Sequence, residues 1–181
     1  MTRNRTSIGN LALCALFVSL CAACSQIVIP LPMIPINLAL FSVHLTGALL
    51  GAKRGSLSMV VYLLMGLFGI PVFHGFTAGP GVLLGPTGGY IIGYIFTAAI
   101  AGWTVNRVGT VFWKLFLGMS TGVLTCYLFG TLWFMALMGM GFWESLAICV
   151  FPFLIGDGVK IVMAVLLTRK MLPILRKNGL N

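Results

Sequence analysis

Ten of the eleven basic residues in this 181-residue chain stand in four small groups, and long apolar runs separate the groups. Arg3 and Arg5 come first, Lys53 and Arg54 second, Arg107 and Lys114 third. Arg169, Lys170, Arg176 and Lys177 close the series. Only 7% of residues are charged and 60% are hydrophobic, with a mean hydropathy of +1.10. A soluble domain carries about 25% charged residues, so the pattern is that of an integral membrane protein. The net charge of +9 then reports orientation rather than a nucleic-acid partner. The basic residues sit at the ends of apolar spans and form no surface with polar or aromatic contact residues.

The spacing predicts an all-α, polytopic fold: one domain over residues 1–181, built as a six-helix transmembrane bundle with outward lid loops. The helices are expected over about 8–28, 37–51, 56–68, 90–105, 111–140 and 143–171. The second and third are shorter than the ~20 residues a span needs and must borrow flanking residues. Excess Lys and Arg mark the cytoplasmic side, which places both termini in the cytoplasm and the two Pro/Gly-rich loops and the turn at Glu144 outside. The first run imitates a secretory signal peptide. However, Leu20 precedes Cys21, and Cys21 stands where a leucine is usual before Cys24, so the stretch reads as a retained helix. On it Ala15, Ser19 and Ala23 recur every four residues, a small-residue stripe of the kind that lets another helix approach closely.

Two connections are unusual. Pro30, Pro32 and Pro35 exclude regular helix from an uncharged, apolar segment over 29–36. The stretch 69–89 is rich in glycine and proline and contains no Lys, Arg, Asp or Glu. Irregular backbone near a bilayer is tolerated where protein or a watery cavity satisfies its polar groups. Both segments are therefore expected to line or cap a site, with Pro35, Gly75, Gly79, Gly85, Gly88 and Gly89 as lid residues.

The eleventh basic residue, Lys160, follows Asp157 by three positions inside the last apolar run. On a helix that spacing puts both side chains on one face, and an ionisable residue at membrane depth is a functional-site candidate that needs a partner. Asp157 lies twelve residues before Arg169, roughly 18 Å along a helix, inside the hydrocarbon and nearer the outer side. The pair and the two odd connections thus converge on one leaflet. Nothing in the chain suggests catalysis: it has no phosphate-binding loop, no HExxH, no GxSxG and no His/Cys set spaced for a metal. His44 and His74 each stand alone. The five cysteines lie within apolar runs as small buried hydrophobes. Two classes remain: a ligand-binding transport subunit, or a secondary carrier coupled to protons through Asp157. A lysine three residues away holds the carboxylate ionised, which argues against the second.

Several motifs resemble the BioY family, the biotin-binding substrate (S) components of energy-coupling-factor (ECF) transporters. They are the proline-rich segment 29–36, Tyr-Leu-Leu-Met-Gly at 62–66, Gly-Ile-Pro-Val-Phe at 69–73, Leu-Gly-Pro-Thr-Gly-Gly-Tyr at 84–90, and Pro-Phe-Leu-Ile-Gly-Asp-Gly-Val-Lys at 152–160. The resemblance runs over nearly the whole chain. It implies a membrane bundle that binds biotin near its outer face under lid loops. Asp157 and Lys160 are the polar contacts it implies, and Thr77 is the polar residue of the Gly-rich loop, where some relatives have Asn. It also implies a bacterial or archaeal cytoplasmic membrane and a separate transmembrane coupling protein with a pair of ABC-type ATPases. The stripe Ala15/Ser19/Ala23 resembles the surface presented to that coupling protein. No cofactor is implied; biotin is cargo, and a different vitamin is the alternative cargo. Tyr90, Phe73, Phe76 and Trp133 are candidates for an aromatic wall around biotin's bicyclic body.

Overall fold

The structure, a computed structural model, describes the backbone of residues 2–177 and side chains from residue 8 onward. Arg3 and Arg5 fall outside the described side chains, and residues 178–181 outside the described chain. The order is helix α1 (Thr2–Gln26), strands β1 (Val28–Ile29) and β2 (Ile36–Asn37), then helices α2 (Ala39–Leu50) and α3 (Ala52–Leu67). A 3-10 turn (His74–Phe76) and a one-turn helix α4 (Pro80–Leu83) follow. The second half holds α5 (Gly88–Val108), α6 (Phe112–Met138), α7 (Phe142–Cys149) and α8 (Leu154–Lys177).

Helix α2 is the axis of the bundle. Its sequence is uncharged, nearly every residue is buried, and α1, α3, α5 and α8 all pack on it. Its hydroxyls are satisfied within the helix: Ser42 donates to the Ala39 carbonyl and Thr46 to that of Ser42, so neither hydroxyl competes with packing. Gly47 lets α5 come so close that a Cβ there would collide with the Ala98 carbonyl. Helices α5 and α6 form the longest antiparallel pair, linked where Thr97 donates to the Gly122 carbonyl at 3.0 Å. Outward-facing leucines such as Leu57, Leu117, Leu124 and Leu128 remain exposed, as a lipid-facing surface requires.

The expected boundaries shift in four places. The chain turns from α2 to α3 at Gly51, whose φ of 81° favours glycine; Lys53 and Arg54 belong to the first turn of α3 rather than to the turn itself. Gly88 and Gly89 are the start of α5, not lid. The Pro-rich segment is closed at its base by the small hairpin of β1 and β2. The last expected helix is broken: α7 and α8 are bent by 52° across 150–153, where Pro152 has no N–H to give a helix. Helix α8 then continues past 171 to Lys177, through Pro173.

Among the described residues three helices are long and apolar enough to cross a membrane, four if the bent pair counts as one. With 12 and 16 residues, α2 and α3 fall short of the ~20 needed. The all-α membrane character is therefore plain, and the six-span count remains an expectation.

Candidate ligand-binding site

The break before α8 sets the chemistry of the site. It makes Asp157 a first-turn residue of a new helix, its N–H donating to the Phe153 carbonyl at 2.8 Å. The unsatisfied N–H groups and dipole of a helix start favour a carboxylate there. One turn later Lys160 places Nζ 2.7 Å from Asp157 Oδ1. The other carboxylate oxygen, Oδ2, accepts from the Tyr127 hydroxyl of α6 at 2.6 Å. Both charged residues are buried, Asp157 4% and Lys160 6% exposed. The pair is neutral overall, so its burial is tolerable. One of the three ammonium N–H donors is used within the pair, and the other two need acceptors from outside it.

This triad forms the base of a cleft. Its walls are aromatic: Tyr62, Phe73, Tyr90, Tyr94 and Phe153, with buried Ile34 beside them and the partly exposed Pro35, His74 and Thr87 toward the mouth. All four tyrosines of the chain line it. The cleft holds about 610 Å³ of empty space counting its open mouth. That volume is within the ~300–1,000 Å³ of a small-molecule site.

Two walls depend on missing side chains. The Phe73 ring lies where a Cβ on Gly66 would sit, and meets Tyr62 edge-on with centroids 5.6 Å apart. The Tyr90 ring likewise fills the space above Gly130. Its hydroxyl donates to the Cys149 carbonyl at 2.7 Å, tying α5 to the end of α7. Tyr90 therefore offers its ring to the cleft while its O–H is engaged by the protein.

The other expected residues divide. Asp157, Lys160, Tyr90, Phe73 and Pro35 are together in the cleft. Thr77 is not: it is exposed, and its hydroxyl turns back to the His74 carbonyl at 2.8 Å. Phe76 points outward, 71% exposed, so it is no wall. Trp133 lies behind the cleft, its indole N–H donating to the Gly85 carbonyl at 3.0 Å and its ring packed on Gly88 and Gly89. Gly75 and Gly79 lie in the 69–87 segment with φ of 63° and 94°, and Gly79 N–H bonds the Gly66 carbonyl at 2.7 Å. Ala15, Ser19 and Ala23 face outward, exposed, on α1. His44 is buried in α2 with both ring nitrogens unpartnered, whereas His74 reaches the mouth. Cys21 and Cys24 are buried free thiols.

Sequence reasoning missed Tyr127, Tyr94 and Tyr62. Each lies in a helix remote in sequence from Asp157; Tyr62 opens the motif at 62–66, but no local motif marks Tyr94 or Tyr127. The available signal was the residue type: a tyrosine in an apolar helix must find a partner for its hydroxyl, and such partners collect at a polar site.

Over residues 1–177 the chain matches the model of the BioY family. The chain belongs to the BioY family. It is 37% identical over 162 residues to the probable biotin transporter BioY of Pyrococcus horikoshii, covering 90% of this chain and 95% of that protein. It is 30% identical over 161 residues to the biotin transporter BioY of Thermotoga maritima, covering 86% and 91%. Its backbone superposes on the crystal structure of the S-component for biotin from an ECF-type ABC transporter with a TM-score of 0.87, at 26% identity and 94% coverage of both chains. The family is one of membrane transport proteins, not enzymes, and the break, the buried pair and the aromatic cleft belong to a BioY scaffold.

Proposed function

We propose that this chain is the S component of an ECF-type transporter, which binds biotin in the cleft above Asp157 and Lys160 and carries it across the cytoplasmic membrane. The observation that carries this reading is the buried Asp157–Lys160–Tyr127 triad at the base of an aromatic cleft. Biotin's ureido ring has two N–H donors and one carbonyl acceptor. The two spare ammonium donors of Lys160 suit the carbonyl, and the remaining lone pairs of Asp157 suit the N–H groups. The bicyclic thioether body fits between Tyr90, Phe73 and the other rings. Within this proposal Thr77 makes no ligand contact, and Pro35 and the 69–87 segment cover the mouth.

Transport needs an energy source, and the chain carries no phosphate-binding loop of its own. A separate transmembrane coupling protein with paired ATPases supplies it in this reading. The exposed stripe Ala15, Ser19 and Ala23 is the surface on which a coupling helix can approach closely. The grouping of basic residues supports cytoplasmic termini. The proton-coupled alternative finds no support in the geometry, because both carboxylate oxygens of Asp157 are already engaged, one by Lys160 and the other by Tyr127.

The test is equilibrium binding of biotin to the purified full chain, without ATP or partners, beside riboflavin and thiamine. Tight binding of biotin alone is the expected result. Preference for another vitamin would change the cargo within the same architecture, and pH-driven uptake by the chain alone would move it to the carrier class.

A further inference from the structure

We propose that Gln26, the last residue of α1, is a positioning residue that builds the outer wall of the binding cleft by clamping the 72–76 turn. Its amide Nε2 donates to the Phe73 carbonyl at 3.0 Å and lies 3.3 Å from that of Val72. Its Oε1 accepts from the Phe76 N–H at 2.8 Å. The amide thus reads both polarities of one turn. The neighbouring Ser25 hydroxyl adds a bond to the Val72 carbonyl at 2.6 Å, and the Tyr62 hydroxyl adds another at 3.0 Å. Val72 therefore has other partners, and the backbone pairing of Phe73 with Thr77 helps close the turn, whereas Gln26 is the one side chain among the described residues that holds Phe73 O and Phe76 N.

The turn needs such a clamp. Phe76 is the one non-glycine residue among the described residues with positive φ, 58°, and Gly75 before it has 63°. A bulky residue there is uncommon and persists only where its surroundings over-determine it. With the turn held, Phe73 drops into the slot above Gly66 and His74 reaches the mouth, and both line the cleft. Released, the backbone at Phe76 is free to relax to negative φ, and the Phe73 wall loses its fixed position. Gln26 does not itself line the cleft, so it acts through the wall.

This inference rests on the ligand-binding role given to the cleft. Its test uses two readouts on the full chain: hydrogen exchange at the amides of 72–77, and the rates of biotin association and dissociation. Gln26→Ala removes both halves of the clamp. Gln26→Glu keeps an acceptor for Phe76 N–H but cannot donate to Phe73 O. Gln26→Ala is expected to unprotect the Phe76 amide and speed biotin dissociation roughly tenfold or more, with association little changed. Gln26→Glu is expected to keep Phe76 protected while still speeding dissociation, a split that general loss of structure does not produce. It also decides the matter if the alanine variant does not fold. Wild-type dissociation rates and wild-type protection at Phe76 in both variants would overturn the proposal. If the unaltered chain binds no biotin, the cleft reading fails by itself, and amide exchange still judges the clamp.

Discussion

Removing one member of the buried pair, then both, separates what the pair does for the fold from what it does for ligand. At 2.7 Å and an effective dielectric of about 20, two unit charges attract by about 6 kcal/mol. Desolvation opposes this. The side chains are only 8% and 5% exposed, so little is lost to solvent screening. The measured pattern for such pairs is a loss of about 3–5 kcal/mol when one partner goes, because the other is left buried and unpaired. Asp157→Asn keeps the shape but strands the Lys160 ammonium, so a loss near that size is expected. Lys160→Met strands the carboxylate, yet Tyr127 and the helix start still stabilise it, so its loss falls at the low end. The double variant buries no charge and is expected within about 1–2 kcal/mol of the unaltered protein. All three variants lose biotin binding. Denaturant unfolding followed by tryptophan fluorescence, beside calorimetric titration with biotin, reads both quantities. Strictly additive stability losses would refute the coupling, and biotin binding retained by the double variant would refute the role of the pair in recognition.

Three further outcomes follow from the same geometry. Tyr127→Phe removes the 2.6 Å bond to Asp157 Oδ2, a hydrogen bond to a charged group worth about 1.5–3 kcal/mol; biotin affinity is expected to fall about 10- to 100-fold by titration, with the fold retained. Thr77→Ala is expected to leave affinity unchanged, since its hydroxyl is exposed and serves only the His74 carbonyl; a tenfold loss would place Thr77 back in the site. Burial lowers the His74 imidazole below its ordinary 6.5. The unfolded chain thus takes up a proton that the folded chain resists, so this contribution to stability is complete above pH 6.5 and declines as pH drops below it. His74→Gln is expected to flatten that part of a stability–pH profile.

What the sequence made legible was whatever depends on local spacing. The interval between Asp157 and Lys160 fixes their common helix face, and the structure joins them in a direct ion pair. Grouped basic residues and apolar runs mark the membrane helices, and the specific motifs point to the family. Spacing says less about the direction of a side chain in irregular backbone. Thr77 stands in the expected stretch, but the positive φ at Gly75 and Phe76 reverses the chain there and turns its hydroxyl onto His74. The same turn sends Phe76 outward. Trp133 is aromatic and near the site, yet its N–H needs an acceptor, and the Gly85 carbonyl holds it behind the cleft. Tyr127 was hidden for a different reason: its partner is thirty positions away on another helix, a contact that only packing of α6 against α8 creates.

The break at 150–153 looked in the sequence like a loosening within one helix, and its significance lies in what it does to the charge. A continuous helix would have left Asp157 in mid-span, where no N–H is free and only Lys160 could balance it. Interrupting the helix at Pro152 sacrifices backbone bonds, but it begins a new helix just ahead of the carboxylate. The freed dipole end then faces a negative charge, Tyr127 supplies an additional donor, and Lys160 completes neutrality. Three independent stabilisers on one carboxylate leave two ammonium donors unclaimed. Broken backbone within membrane protein is tolerated where it lines a cavity, and here the cavity and the unclaimed donors coincide. The break is thus the feature that lets an apolar scaffold hold a polar ligand group without leaving a charge unpaired.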